Sequence, residues 1–125
     1  MDTRLFKSVI DADNTAVCIC DLNHIVVYMN KAAANKYHVD ITGKSIFDCH
    51  NPKSKEIIIK VVDYFKSDVN HNSVHTFYNA KENRDVYMIA LRDDEDNLIG
   101  YYEKHCYRDI DNTGFYEGID YGNKD

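Results

Sequence analysis

With 125 residues the chain has room for one domain built on a single core, and its 44% hydrophobic and 29% charged content is that of an ordinary globular protein. The net charge of −6 argues against non-specific nucleic-acid binding, which needs a basic face. Its longest apolar runs, such as 25–29, fall far short of the roughly 18 residues a membrane span takes, and the N-terminal "MDTRLFK" lacks the apolar stretch of a signal peptide. A cytoplasmic protein with no membrane partner is expected. Cys18, Cys20, Cys49 and Cys106 show neither CxxC spacing nor a disulfide framework, so they read as reduced thiols.

Leu5, Phe6, Val9 and Ile10 recur at the spacing of a short amphipathic helix over 3–11, which Asp13-Asn14 ends. Residues 15–21 read as a strand with Ala16, Cys18 and Cys20 on one face. The turn "DLNH" joins it to a second strand over 25–29. Asn30 can cap a short helix carrying Ala32, Ala33 and Ala34, which "HVD" and Gly43 bring to a close. The connection "GKSIFDCH" has room for one helical turn around Ile46 and Phe47. Asn51-Pro52 is a strong helix start, and 52–66 form the longest helix, with Ile57, Ile58, Val61, Val62 and Phe65 on one stripe and a Glu56–Lys60 pair across a turn.

After a polar loop, residues 74–78 supply a third strand. The stretch "DVYMIALRDDEDNLIGYYEKHCY" (85–107) then reads as a hairpin around the polar knot 93–97. Its first strand is apolar on both faces, Val86, Met88 and Ala90 on one and Tyr87, Ile89 and Leu91 on the other; its second reads as partly exposed. From Asp109 onward five acids face Lys124 alone, so this end holds −4 of the −6. Residues 1–110 thus form one domain and 111–125 an acidic, flexible tail. The expected class is α+β: a five-stranded antiparallel sheet with helices packed on one face and an additional N-terminal helix.

That order of elements, with "IVVYMNKAAANKY", Gly43-Lys44 and "RDDEDNLIGYYE", resembles the PAS sensor domain over roughly residues 3–110. Within it, "GKSIFDCHNPKS" and "YMIALRDDEDNLIGYYE" look like a subgroup with a Gly…Asp-Cys-His-x-Pro-x-Ser stretch, whose members are often fused to hemerythrin-like or other regulatory domains. Asn97 stands before Leu98 where these domains usually carry Gly, and Asn tolerates the left-handed backbone such a turn needs. The resemblance implies a sensory module that binds a small molecule or cofactor between the long helix and the sheet. Ile58, Val62 and Phe65 would line that pocket on one side, and Phe77, Met88 and Tyr102 on the other, with Tyr28 and His50 also expected among the ligand-binding residues.

His50 is the sharpest candidate for chemistry: a histidine just before the long helix can ligate haem, or simply close a turn by bonding backbone. Among metals it is a weak candidate, and no other metal site is expected. His71 and His75 have zinc-pair spacing but lie in a loop entering a strand. His105 and Cys106 point to opposite faces of a strand, and Cys18 and Cys20 read as small buried hydrophobes. The acidic knot 93–97 has Leu98 and Lys104 where a calcium loop needs Gly and Glu.

Flavin photochemistry needs a cysteine three residues after Gly43, and Ile46 occupies that place. Tyr28, with a cysteine ahead of the long helix, is shared with photoactive yellow protein, but Ala32 stands where the acidic partner of that tyrosine belongs. No phosphate loop, GxSxG elbow or HExxH is present, so no enzyme is expected. The expected function is small-molecule sensing relayed through protein–protein contacts, with a homodimer formed through Leu5, Phe6, Val9 and Ile10. The alternatives are a haem sensor using His50 and a ligand-free dimerisation adaptor.

Overall fold

The computed structural model describes residues 2–109 and 113–118. The elements follow in the order α1 (Thr3–Ala12), β1 (Ala16–Asp21), β2 (Val26–Met29), α2 (Lys31–Tyr37), a 3-10 turn (Ile46–Cys49), α3 (Pro52–Ser67), β3 (Ser73–Asn79), β4 (Arg84–Arg92) and β5 (Leu98–Tyr107). The strands form one antiparallel sheet in the order β2-β1-β5-β4-β3. β5 is therefore central, paired along its length with β1 on one side and β4 on the other.

Local chemistry sets the connections. Asp21 Oδ1 accepts from the backbone N–H of Asn23 and Ile25, closing the first hairpin, in which His24 adopts a left-handed backbone (φ 65°). Asn30 caps α2 and does more: its Oδ1 accepts from Ala33 N and Val17 N, while its Nδ2 donates to Ile10 O and Thr15 O. One fully buried amide thus ties α1, β1 and α2 together. α3 begins as its sequence demands, with the Asn51 side chain accepting from Ser54 N and Pro52 at the first turn. The Glu56–Lys60 pair is present at 3.1 Å.

The core lies between the inner face of the sheet and α2 and α3. Ala16, Cys18, Cys20, Met88 and Tyr101 meet Ile58, Val61, Val62 and Phe65, all buried. Strand alternation then places Glu103 and His105 on the same inner face as Tyr101, each 5% exposed. β5 is partly exposed, as its mixed sequence suggests, at Ile99 and Tyr107 and along its outer face, where Tyr102 lies opposite Ile19 and Ile89. In the β4–β5 turn the left-handed residue is Asp96 (φ 65°), one position earlier than Asn97; Asp93 Oδ1 accepts from Glu95 N and Asn97 N and fixes that geometry.

α1 buries no side chain. Asp11 accepts from the Tyr28 hydroxyl at 2.5 Å and the Ile10 carbonyl accepts from Asn30, so one flank of the helix is held. The other flank presents Leu5, Phe6 and Val9, which are 65%, 54% and 71% exposed. Of the acidic tail, residues 113–118 are exposed and the remainder of 111–125 lies outside the described residues. Among the described residues no helix is long and apolar enough to cross a membrane.

Candidate functional site

A cavity of about 550 Å³ opens between α2, the start of α3 and the inner face of β3, β4 and β5. Its apolar wall is Ile57 and Ile58 from α3 with Phe77, Val86 and Met88 from the sheet. A β-bulge between His75 and Phe77 turns both Thr76 and Phe77 to this side. The polar lining converges from four elements: Lys36 and Tyr37 from α2, His50 ahead of α3, Arg84 from β4, and Glu103 and His105 from β5.

These polar groups form a chain. A guanidinium only donates, so where Arg84 Nη1 meets His105 Nδ1 the ring nitrogen accepts. His105 Nε2–H is then free to donate to Glu103 Oε1 at 2.9 Å, with the Tyr37 hydroxyl 3.3 Å from the same nitrogen. On the other side, His50 Nδ1–H donates to the Ile46 carbonyl at 2.8 Å, and His50 Nε2 faces Glu103 Oε1 at 3.7 Å, an ion-pair distance. Arg84 also meets Glu82 at 2.7 Å.

The electrostatics follow from that geometry. For Glu103, burial is the largest single influence and pushes the carboxyl up, but the His105 hydrogen bond and the facing His50 ring together outweigh it and hold the group at about 2. The facing Glu103 carboxylate raises the His50 pKa against the opposing effect of burial. With Nδ1–H occupied by a carbonyl, only the doubly protonated ring presents a proton to Glu103, so the contact is an ion pair when His50 is protonated. Burial, with the Arg84 charge second, pulls the Lys36 ammonium below its ordinary value.

Of the residues singled out from sequence, His50, Ile58, Phe77 and Met88 line this cavity. Val62 and Phe65 are buried one and two turns further along α3 and pack the core instead. Tyr28 and Tyr102 are not at the cavity: both lie on the outer face, Tyr28 against Asp11 of α1. Glu103, His105, Arg84, Lys36 and Tyr37 carry the polar side of the site and were not anticipated.

Haem does not fit the arrangement at His50. An axial ligand needs the Nε2 lone pair, and that nitrogen is turned to a buried carboxylate that favours its protonated form. Among the described residues no group of three or more His, Cys, Asp or Glu side chains is arranged to hold a metal ion.

Compared by sequence, the chain matches no family model and no curated protein. Compared by structure, it is similar to the PAS domain of a protein from Colwellia psychrerythraea, with 15% identity over 86% of this chain and 96% of that one, at a TM-score of 0.65. A sensory box sensor histidine kinase from Vibrio cholerae aligns with 16% identity over 83% of this chain and 87% of that chain, at a TM-score of 0.56. An RNA-binding light-oxygen-voltage receptor aligns with 12% identity over 84% of this chain but only 32% of the receptor, at a TM-score of 0.61. With its central β5, α2 and α3 on one face and these likenesses, the chain folds as a PAS domain.

Proposed function

We propose that this domain is a non-catalytic sensory module that holds a small molecule in the cavity between α2, α3 and the sheet and signals through protein–protein contacts. The observation that carries this reading is the cavity itself, an apolar wall of Ile57, Ile58, Val86 and Met88 faced by a few converging polar groups. That is the composition of a small-molecule site, and its volume of about 550 Å³ falls in the usual range for one. The Glu103 network supplies the fixed polar groups that orient a ligand, and its burial makes each of them costly to leave unpaired. The similarity to the sensory box sensor histidine kinase from Vibrio cholerae supports a signalling role. RNA binding belongs to the light-oxygen-voltage receptor named above, and the net charge of −6 argues against carrying it over.

The test is native mass spectrometry and an absorption spectrum of the chain purified without added cofactor. A bound small molecule with no Soret or flavin band is the expected result. A Soret band would overturn the assignment of His50 to Glu103.

A second reading rests on a separate observation, the exposed stripe of Leu5, Phe6 and Val9. It makes the module a dimer that assembles through α1, and it is compatible with the first. The reading places residues 1–110 as the working domain and the protein in the cytoplasm, where its cysteines, all four of them free, suit a reducing compartment.

A further inference from the structure

We propose that the cavity takes an amphipathic organic monoanion, a single carboxylate on an apolar body, with its head between Lys36 and Lys53 and its body along Ile57, Ile58 and Met88. This rests on the reading of the cavity as a ligand site. The chain carries 21 Asp and Glu against 15 Lys and Arg, so a random patch of its surface is net negative. The cavity reverses that balance, with Lys36, Lys53 and Arg84 in its lining and Glu103 as its acid.

What decides the matter is which of these charges is already used. Glu103 is engaged by His105 and His50, and Arg84 by Glu82 and His105. Among the described residues, neither Lys36 nor Lys53 is paired with a carboxylate. Lys36 is half-buried with its ammonium near the Tyr37 ring, and burial followed by the Arg84 charge lowers its pKa against the smaller raising effects of Glu82 and Glu103. An anion at that place restores it.

Position separates head from body. Lys53 and Phe77 are exposed and Lys36 and Ile57 half-exposed, so they form the mouth; Ile58, Val86, Met88 and Glu103 are buried and form the floor. The start of α3 also contributes to the mouth through Asn51 and Ser54, and the positive end of a helix dipole favours a negative group there. Glu103 at the floor repels a second carboxylate, which limits the ligand to one negative charge at the mouth.

The experiment titrates the full chain with octanoate, octanamide and suberate, reading affinity by calorimetry and location by the NMR methyl signals of Ile58 and Met88. Octanoate is expected to bind at least about tenfold tighter than its amide, a difference of about 1.4 kcal/mol. Suberate is expected to bind no tighter than octanoate. A Lys36→Gln/Lys53→Gln variant, altered only at partly or fully exposed positions, is expected to erase the preference for the acid while keeping the methyl shifts. Octanamide shifting those methyls with an affinity equal to that of octanoate overturns the anion and leaves the cavity reading standing. Suberate binding tighter than octanoate overturns the single charge. No methyl shift with any of the three overturns the cavity reading, and the anion with it.

Discussion

Nε2 of His50 stands 3.7 Å from Oε1 of Glu103, so the segment that starts α3 is joined to the central strand of the sheet by an ion pair in the cavity wall. The contact links the short connection ahead of α3 to the central strand of the fold. It also sits among the groups lining the cavity, so a ligand there alters the surroundings of both partners.

The pair predicts how stability depends on pH. His50 has a folded-state pKa raised above its ordinary 6.5, so its contribution is complete below about 6.5 and is lost as the pH rises through the raised value. Glu103 is lowered from 4.5 to about 2, so its contribution is present above 4.5 and is lost as the pH falls towards 2. That carboxylate is worth about 3 kcal/mol by linkage. Urea denaturation across pH should therefore show greatest stability between about 4.5 and about 6.5, falling on the acid side as Glu103 is protonated and on the alkaline side as His50 is deprotonated. Glu103→Gln should flatten the acid limb and return His50 towards its ordinary value. An NMR titration placing His50 at or below 6.5 in the unmodified protein would refute the pair.

Much of this fold is legible in the sequence because its elements announce themselves chemically. Asn30 and Asn51 cap helices as their positions suggest, and the stripe Ile58, Val61, Val62 and Phe65 is the buried face of α3. The polar half of the site is not legible, for a physical reason. Along β5 one face reads Tyr101, Glu103, His105 and the other Tyr102, Lys104, Cys106, so hydrophobicity cannot say which is inside. Pairing decides it: Glu103 lies opposite Cys18 on β1 and Met88 on β4, both on inward-facing positions. The alternation of Ala16, Cys18 and Cys20 was the one available signal, and it becomes informative only once the register with β5 is known. Arg84 and Lys36 join the site from elements far apart in sequence, which no local pattern encodes.

Gly100 tests that register directly. A Cβ built on it would lie 2.5 Å from the backbone oxygen of Cys20, on the neighbouring strand. A backbone oxygen cannot rotate away, so β1 and β5 would have to separate. Gly100→Ala is expected to cost about 1–3 kcal/mol. A variant melting within a degree or two of the parent would show that β1 and β5 are spaced otherwise.

Arg92 closes the far end of α3. Its Nη2 donates to the Phe65 carbonyl at 2.6 Å and to those of Asp68 and His71 at 3.2 Å, while its Nε donates to Asn72 Oδ1 at 2.7 Å. These carbonyls belong to the helix end and the following loop, and one planar fork reaches them from β4. Arg92→Met should destabilise by about 1–3 kcal/mol and speed hydrogen exchange in the last turn of α3. Arg92→Lys should recover little of the loss, since a single ammonium cannot reach so divergent a set. Full recovery by lysine would reduce the role of Arg92 to its charge.

The last prediction concerns assembly. α1 is a ten-residue helix, too short to be stable alone in water, and it holds to its own domain by Asp11–Tyr28 and Ile10–Asn30 rather than by burying side chains. Those contacts fix its rotation, so Leu5, Phe6 and Val9 face outward; Ile10 is half-buried on the domain side and contributes less. A two-fold partner would pack the same stripe against itself, covering three large apolar side chains per copy. Light scattering of the unmodified chain at tens of micromolar should give a dimer mass. Replacing Phe6 and Val9 by Glu should give a monomer that melts close to the parent domain, because no core residue is touched. A monomeric parent would remove the dimer and leave the α1 stripe without a partner in a second copy.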